Sequence, residues 1–329
     1  MTGGRRQVVY LSLGAPHLEY PAVAAALADR GVDARLVHLD NVDAVDWPGV
    51  DLVNVRMCRG YHRDPRFLDR IERLHERLQQ LPGRAVPMAN HIGLLRDAVD
   101  KGRYLRLLAD DGIGLIPTRW VPRGSKLRVA DVMDETGWDE VVIKPTVSSG
   151  SWRTIRVSRR GPSTADSHFV LAGVQRAAPY DRFAQDLVAT HDVCVQRFMP
   201  SVLGRGELSF VFLGGRFSHA VRKTVGAQGG WWAHERLGGQ NYPLDPTGRE
   251  GEWAHHVHQA LERRYGRLWF ARVDALPDDD STLRLLECEL AIPRLLLPEG
   301  HAFGRYAETI ARGLEQLASA SPAQPAPPA

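Results

Sequence analysis

The stretch Leu268-Trp269-Phe270-Ala271-Arg272-Val273-Asp274-Ala275-Leu276, followed after Pro277-Asp278-Asp279-Asp280-Ser281 by Leu283-Arg284-Leu285-Leu286-Glu287-Cys288-Glu289-Leu290, decides the fold of this chain. Two apolar runs of strand length flank a short turn rich in Pro and Asp, the pattern of a β-hairpin. Side chains alternate faces along a strand, so Glu287 and Glu289 share one face and Cys288 takes the other. Asp274 lies on the partner strand at a similar distance from the turn. Three carboxylates on one patch repel each other unless a cation neutralises them. Hard oxygen donors of this kind suit Mg²⁺, which completes its shell with waters and phosphate oxygens. A solvated acidic edge strand is the alternative. Val273, Leu285, Leu286 and Leu290 weigh against it, because they mark a half-buried hairpin.

Upstream, Val141-Val142-Ile143-Lys144-Pro145 brings a lysine to the end of an apolar strand, beside the small-residue loop Ser148-Ser149-Gly150-Ser151. Such a loop can fold its N–H groups around phosphate oxygens, although the lysine precedes the loop and the Walker A order is absent. Lysine is scarce here: of 42 basic residues only Lys101, Lys126, Lys144 and Lys223 are lysines. Under a bias that converts neutral lysines to arginines, those that remain are candidates for sites needing a compact ammonium beside a phosphate. Next, Cys194-Val195-Gln196-Arg197-Phe198-Met199-Pro200 runs from a strand into a loop, where backbone edges and apolar walls suit an adenine. Glu207 suits ribose hydroxyls, and a plain connection between lobes is the alternative.

The remaining chain places these pieces in lobes. Strands over 8–14, 33–39, 51–57 and 85–90 alternate with helices over 21–31 and 65–81, which predicts a small parallel α/β lobe over 1–92. Gly14-Ala15-Pro16-His17 does not supply G-x-G-x-x-G, which removes the main support for a dinucleotide fold. Helices over 97–110 and 129–135 and strands over 140–144 and 154–157 predict a second lobe, 93–190. The third lobe, 191–318, holds a strand over 192–198 and a hairpin around Gly214-Gly215. It continues with a helix over 252–265, the terminal hairpin and a helix over 301–317. Residues 319–329, rich in Ala, Pro and Ser, are expected to be disordered.

The order of these elements from Asp51 to about Gly313 resembles the ATP-grasp superfamily. The most specific segments are Asp100-Lys101, Ile116-Pro117-Thr118, Val142-Ile143-Lys144-Pro145, Gly206-Glu207-Leu208-Ser209-Phe210, the run from Ser218 to Lys223, and the terminal hairpin. Together they are similar to the glutathione-synthetase-like branch, which includes the D-cycloserine-forming cyclase. The resemblance implies an α/β fold in which a small N-terminal α/β lobe precedes two α+β lobes that clamp ATP. It implies that Lys101 and Lys144 hold the α- and β-phosphates, with Ser148, Ser149 and Gly150 in the loop closing over the triphosphate. Gln196, Arg197, Phe198 and Met199 match the adenine hinge and Glu207 the ribose carboxylate. Asp274, Glu287 and Glu289 match ligands of Mg²⁺, with two ions expected and Mn²⁺ as the alternative metal. Arg272, Arg222 and Lys223 match cations near the γ-phosphate and the acyl phosphate.

The activity so implied is ATP-dependent activation of a small, amino-acid-like carboxylate for attack by an amine, in specialised metabolite (antibiotic) biosynthesis. An intramolecular cyclase and a nucleotide-dependent binding module are the alternatives. One departure leaves the substrate open: the run Glu289-Leu290-Ala291-Ile292-Pro293-Arg294 carries Ile292 where this branch has an acidic residue. Arg56, Tyr61 and His62 follow the third strand, where open parallel sheets place ligands. Arg56 suits a substrate carboxylate, and an interlobe ion pair is its alternative. Trp231-Trp232 fit a lid over the substrate or plain packing, and His255, His256 and His258 lack a third metal-ligand spacing.

Composition sets the outer limits. The net charge of +3 comes without a basic block, which argues against nucleic acid as a partner. Cys58, Cys194 and Cys288 are too scattered for a disulfide scaffold or zinc ribbon, as expected in a reducing cytoplasm. No apolar run approaches the roughly 20 residues of a membrane span, so no membrane partner is expected. The superfamily is often dimeric, which makes a homodimer one expected assembly.

Overall fold

The structure, a computed structural model, describes residues 5–14, 18–160, 174–226, 230–297 and 301–319. The tail expected to be disordered lies outside these residues except for Ser319, and so do Ala15, Pro16, His17 and Gly229. Strands β1 (Arg6–Ser12), β2 (Val32–His38), β3 (Leu52–Met57) and β4 (Met88–Ala89) form a parallel sheet in the order β2-β1-β3-β4. Helices α1 (Tyr20–Ala28) and α2 (Phe67–Gln79) complete this lobe. The expected helix over 97–110 is two helices, α3 (Ile92–Ala98) and α4 (Lys101–Asp110). The cause is Asp100, whose carboxylate accepts the N–H of Gly102 at 2.8 Å and caps a new helix start.

A second sheet, β5-β9-β6-β7-β8, contains β5 (Thr118–Val121), β6 (Glu140–Pro145), β7 (Ile155–Ser158), β8 (Val174–Arg176) and β9 (Val193–Arg197). Helices α5 (Val129–Thr136) and α6 (Ala177–Val188) belong to the same lobe. Its core is its own: Val129, Met133, Val141, Ile143, Ile155, Leu187 and Val195 pack together. Because β9 pairs with both β5 and β6, the central lobe runs to Arg197 rather than ending near 190. Helices α3 and α4, expected in this lobe, pack elsewhere.

After a single helical turn, α7 (Ser201–Gly204), an antiparallel sheet β12-β11-β10-β13-β14 follows. Its strands are β10 (Glu207–Leu213), β11 (Arg216–Thr224), β12 (Gln240–Leu244), β13 (Phe270–Pro277) and β14 (Leu283–Glu289). Gly214 and Gly215, with φ of +57° and +80°, close the β10–β11 hairpin in the left-handed region, where side-chain-free residues fit best. Helix α8 (Gly248–Tyr265) begins in a capping box between Thr247 and Glu250, and α9 (His301–Ser319) closes the chain. Leu94, Tyr104, Phe210, Ala254, Val257, Val273 and Cys288 join Val53 and Val55 of the first lobe in one continuous core. The first and third lobes are therefore one body, with α3 and α4 between them. A second apolar cluster packs α9, through Tyr306 and Ile310, on the opposite face of the first sheet.

Asn90 ties the two sheets of this body together. Its buried amide accepts the N–H of Trp269 at 2.7 Å and donates to the carbonyls of Phe270 and Leu290, each at 2.9 Å. Asn90→Ala is expected to leave these groups unsatisfied and to destabilise the protein by roughly 2–3 kcal/mol. A urea melt checks this, and an unchanged midpoint would show that the amide is no strut.

Candidate active site

The C-terminal sheet has two unlike faces. Leu208, Phe210, Phe212, Val273 and Cys288 turn into the common core with α4 and α8. Alternation then forces their neighbours onto the other face. Register sets Glu207 opposite Lys223, Ser209 opposite Asp274, Asp274 opposite Glu287, and Arg272 opposite Glu289. Asp274 is 0% exposed. Arg272 Nε donates to its Oδ1 at 2.8 Å and Arg272 Nη2 to its Oδ2 at 2.6 Å. Ser209 Oγ donates to Oδ1 at 2.7 Å, and Lys223 Nζ lies 3.5 Å from Oδ2. Burial opposes ionisation, but Arg272 and Lys223 overcome it and hold the Asp274 carboxyl well below the usual range.

The other carboxylates divide by their cations. Glu287 lies 3.4 Å from Lys101 Nζ, and Lys101 and Lys144 keep its carboxyl low against the effect of burial. Glu289 contacts Arg272 Nη1 at 2.9 Å and accepts the N–H of Arg294 at 2.9 Å. Burial, reinforced by Glu287 and Asp274, nevertheless pushes it up. Glu207 pairs directly with Lys223, and burial pushes it up to about 7.

Facing this patch are the pieces expected to hold a nucleotide. Lys101 is the first residue of α4, and Tyr104 one turn on accepts the backbone N–H of Cys288 at 3.1 Å, locking the helix to the back of β14. Lys101 Nζ also donates to the carbonyl of Ser148 at 2.6 Å, so one ammonium joins the small-residue loop to Glu287. In and just after that loop Gly150, Ser151 and Arg153 take left-handed φ of +59°, +60° and +50°. Lys144 is buried at the end of β6. Gln196 Nε2 donates to Thr118 Oγ1 at 3.0 Å, and Arg197 pairs with Asp278 at 2.5 Å. Phe198, Met199, Ile116 and Leu276 form a small apolar cluster with Val142, Leu286 and Trp231 against it. It draws residues from both sheets. Trp231 meets Phe198 edge-on at 6.2 Å and stacks on Trp232 at 3.8 Å.

Several expectations are corrected or refined. Arg222 pairs with Leu208 in the register and is exposed on the face opposite Asp274, so alternation separates it from the patch. Arg56 forms an ion pair with Glu19 at 2.7 Å, within the first lobe rather than between lobes. Tyr61 and His62 lie against the small-residue loop: Tyr61 OH reaches the carbonyl of Ser148 at 3.5 Å, and His62 Nδ1 lies 2.8 Å from Ser149 Oγ. His258 is buried and stacks on Phe212 at 4.1 Å, a packing role. Ile292 packs against the common core, while Arg294 carries its side chain to Glu235 and lends its carbonyl to Arg272. Three residues escaped the sequence reading. Ser209 was legible, two positions from Glu207 on the same face. Arg156, stacked 3.6 Å above Phe198, and its partner Glu140 were not.

The donor set bears on the metal. Among the described residues no group of three His, Cys, Asp or Glu side chains closes into a cage. Asp274 and Glu287 stand opposite each other, and both carboxyls are held ionised. That suits Mg²⁺, which takes one or two carboxylates and otherwise keeps waters and phosphate oxygens.

Comparison with known proteins bears on the fold. Over 93% of this chain and 99% of the other, the fold superposes on the crystal structure of D-cycloserine synthetase DcsG with a TM-score of 0.77 and 26% identity. D-alanine–D-alanine ligase from Bacillus anthracis, complexed with ATP, gives 0.62 at 12% identity over 95% and 98% of the two chains. Macrocyclase MdnC of Microcystis aeruginosa, bound with precursor peptide MdnA, gives 0.62 at 14% over 94% and 99%. The chain has the ATP-grasp fold. Within it, residues 8–81 match the family model of the N-terminal domain of D-cycloserine synthetase DcsG. No curated protein matches the chain. No helix among the described residues is long and apolar enough to cross a membrane.

The His62 contact yields a pH expectation. Burial, with Arg63 and Lys101 nearby, pushes His62 down to about 4. An unfolded imidazole titrates near about 6.5, so the unfolded chain takes up this proton first. The site therefore contributes stability above that pH, and the contribution is lost as pH falls toward 4. NMR titration of the His62 ring is expected to show a midpoint near 4, and an unshifted midpoint would mean that the ring is solvated.

Proposed function

We propose that this chain is an ATP-dependent carboxylate–amine ligase that transfers the γ-phosphoryl group of ATP to a small-molecule carboxylate. The observation that carries this reading is the Lys101 ammonium, which spans from the phosphate-loop carbonyl of Ser148 to Glu287 on the carboxylate face. A triphosphate laid along that line has its adenine between Val142, Phe198 and Leu286, its ribose near Glu207, and its phosphates beside Lys101, Lys144 and the loop 148–150.

A carboxylate oxygen of the substrate forms a bond to the γ-phosphorus while the bond to the ADP oxygen breaks. Lys223 and Arg272 offset the charge of the transferred group, and positioning supplies most of the rate. Asp274 and Glu287, with Glu289 behind them, would hold Mg²⁺, which when bound neutralises phosphoryl oxygens and orients them. An amine nitrogen then attacks the acyl carbon, the carbon–oxygen bond to phosphate breaks, and the nitrogen gives up its proton. No protein nucleophile is needed. The likeness to D-cycloserine synthetase over 93% of the chain, and to its N-terminal domain over residues 8–81, favours a second version, in which acid and nucleophile belong to one molecule.

Incubation of the protein with MgATP and pooled carboxylates and amines is expected to release ADP only when the right acid and amine are together, or when one cyclisable substrate is present. ATP binding with no ADP from any pool would overturn the reading. Lys101→Arg and Lys144→Met are each expected to reduce turnover by roughly 100-fold or more. Full turnover by either variant would contradict the phosphate roles, because a planar guanidinium does not fit the space of an ammonium and a thioether carries no charge.

A further inference from the structure

A cavity that the chemistry above does not use lies where the second half of α9 meets the β10–β11 turn. Its volume is about 320 Å³, which suits a small organic ligand. None of Lys101, Lys144, Asp274 or Glu287 lines it. Trp269 on its wall precedes Asp274 by roughly 16 Å of extended strand. The apolar lining comes from Leu213, Leu268, Trp269 and Leu317. Leu317 is 42% exposed, and the Trp269 indole is half-buried. Gly313 lets α9 approach that indole, because a Cβ there would lie 2.2 Å from Trp269 Cζ3. An indole beside buried leucines is a surface for an apolar or aromatic body.

The charged lining has one sign. Arg216, Arg267 and Arg312 border the cavity, and no acidic residue lines it. Arg312 is cancelled by Glu308 at 2.5 Å. Arg267 is not cancelled. Its Nε and Nη2 donate to the Gly214 carbonyl at 3.1 and 3.0 Å, and its Nη1 donates to Gln316 Oε1 at 3.0 Å. These neutral acceptors fix the guanidinium between the turn and α9 and leave its charge standing. Arg216 is exposed and has neither an ion pair nor a hydrogen bond among the described residues. Two uncompensated guanidinium groups therefore border an apolar hollow.

We infer that this cavity is a second binding site, for a small amphiphilic anion. An apolar or aromatic body would lie against Trp269 and Leu268, with a carboxylate, sulfonate or phosphate beside Arg216 and Arg267. The body gains from area removed from water, and the anion gains charge-assisted hydrogen bonds from the guanidinium groups. Both halves are needed to match the lining. A hydrocarbon leaves the two charges unanswered, and a bare inorganic anion leaves the indole wet. This site stands apart from the proposed ligase chemistry and does not rest on it.

The test is fluorescence titration of the full chain, with MgATP present, using 1-anilinonaphthalene-8-sulfonate and its uncharged counterpart N-phenyl-1-naphthylamine. The sulfonate is expected to bind once per chain and roughly fivefold or more tighter than the neutral probe. Arg216→Glu is expected to weaken the sulfonate by a similar factor, and added salt to weaken it further. Among the eight tryptophans, the indole N–H resonance of Trp269, assigned with Trp269→Phe, is expected to shift most. Equal affinity for the two probes, undiminished binding to Arg216→Glu, or a shift centred on Trp231 and Trp232 would overturn the site. So would displacement of the sulfonate by MgATP, which would put the probe in the nucleotide cleft. Affinity that rises when residues 320–329 are removed, or falls as protein concentration rises, would mean that the chain's own tail or a second copy fills the cavity, and would also overturn it. The comparison of the two probes uses the unaltered protein, so it decides the matter even where a variant fails to fold.

Discussion

The fork of Arg272 on the fully buried carboxylate of Asp274 is the interaction on which the rest of this structure depends. A lone buried carboxylate is too costly to remain charged, and here two donors of one guanidinium, the Ser209 hydroxyl and Lys223 keep it ionised. The same guanidinium reaches Glu289 and the carbonyl of Arg294, so it also sets the path of the chain leaving β14. Around this pair, Glu207 answers Lys223 and Glu287 answers Lys101. Cations and carboxylates are matched across the patch. A metal-free triphosphate would upset that match, whereas one accompanied by divalent cations would preserve it.

Packing explains how such a patch can work with a second surface. The first and third lobes share a core and hold the carboxylate face rigidly, with Asn90 as a strut. The central lobe has its own core and meets the carboxylate face through Lys101, the Ser148 loop and the small apolar cluster around Phe198. The residues proposed to hold the nucleotide are thus drawn from two cores. Tyr61 and His62 join the first lobe to the loop at Ser148 and Ser149.

Much of this was legible in the sequence because period-two alternation is a strong constraint. It placed Glu287 and Glu289 together and Cys288 behind them. The same rule, applied from Lys223, would have excluded Arg222 and found Ser209. Other features needed information that local pattern does not hold. The split at Asp100 depends on a cap competing with an otherwise continuous helical run. Strand β12 contains Pro243 and little alternation, as edge strands tolerate. Membership of β9 in the central sheet is set by pairing with β5 and β6, far away in sequence. The burial of Arg56 beside Tyr306 of α9 depends on a contact far away in sequence.

The central claim is that a carboxylate oxygen attacks the γ-phosphorus of ATP across this charged face. It is tested most directly by running the reaction with a substrate whose reacting carboxylate carries ¹⁸O and weighing the phosphate released. The account predicts that one labelled oxygen passes from the carboxylate into phosphate as the acyl phosphate collapses. Phosphate free of label, with the displaced carboxylate oxygen found in water instead, would contradict it.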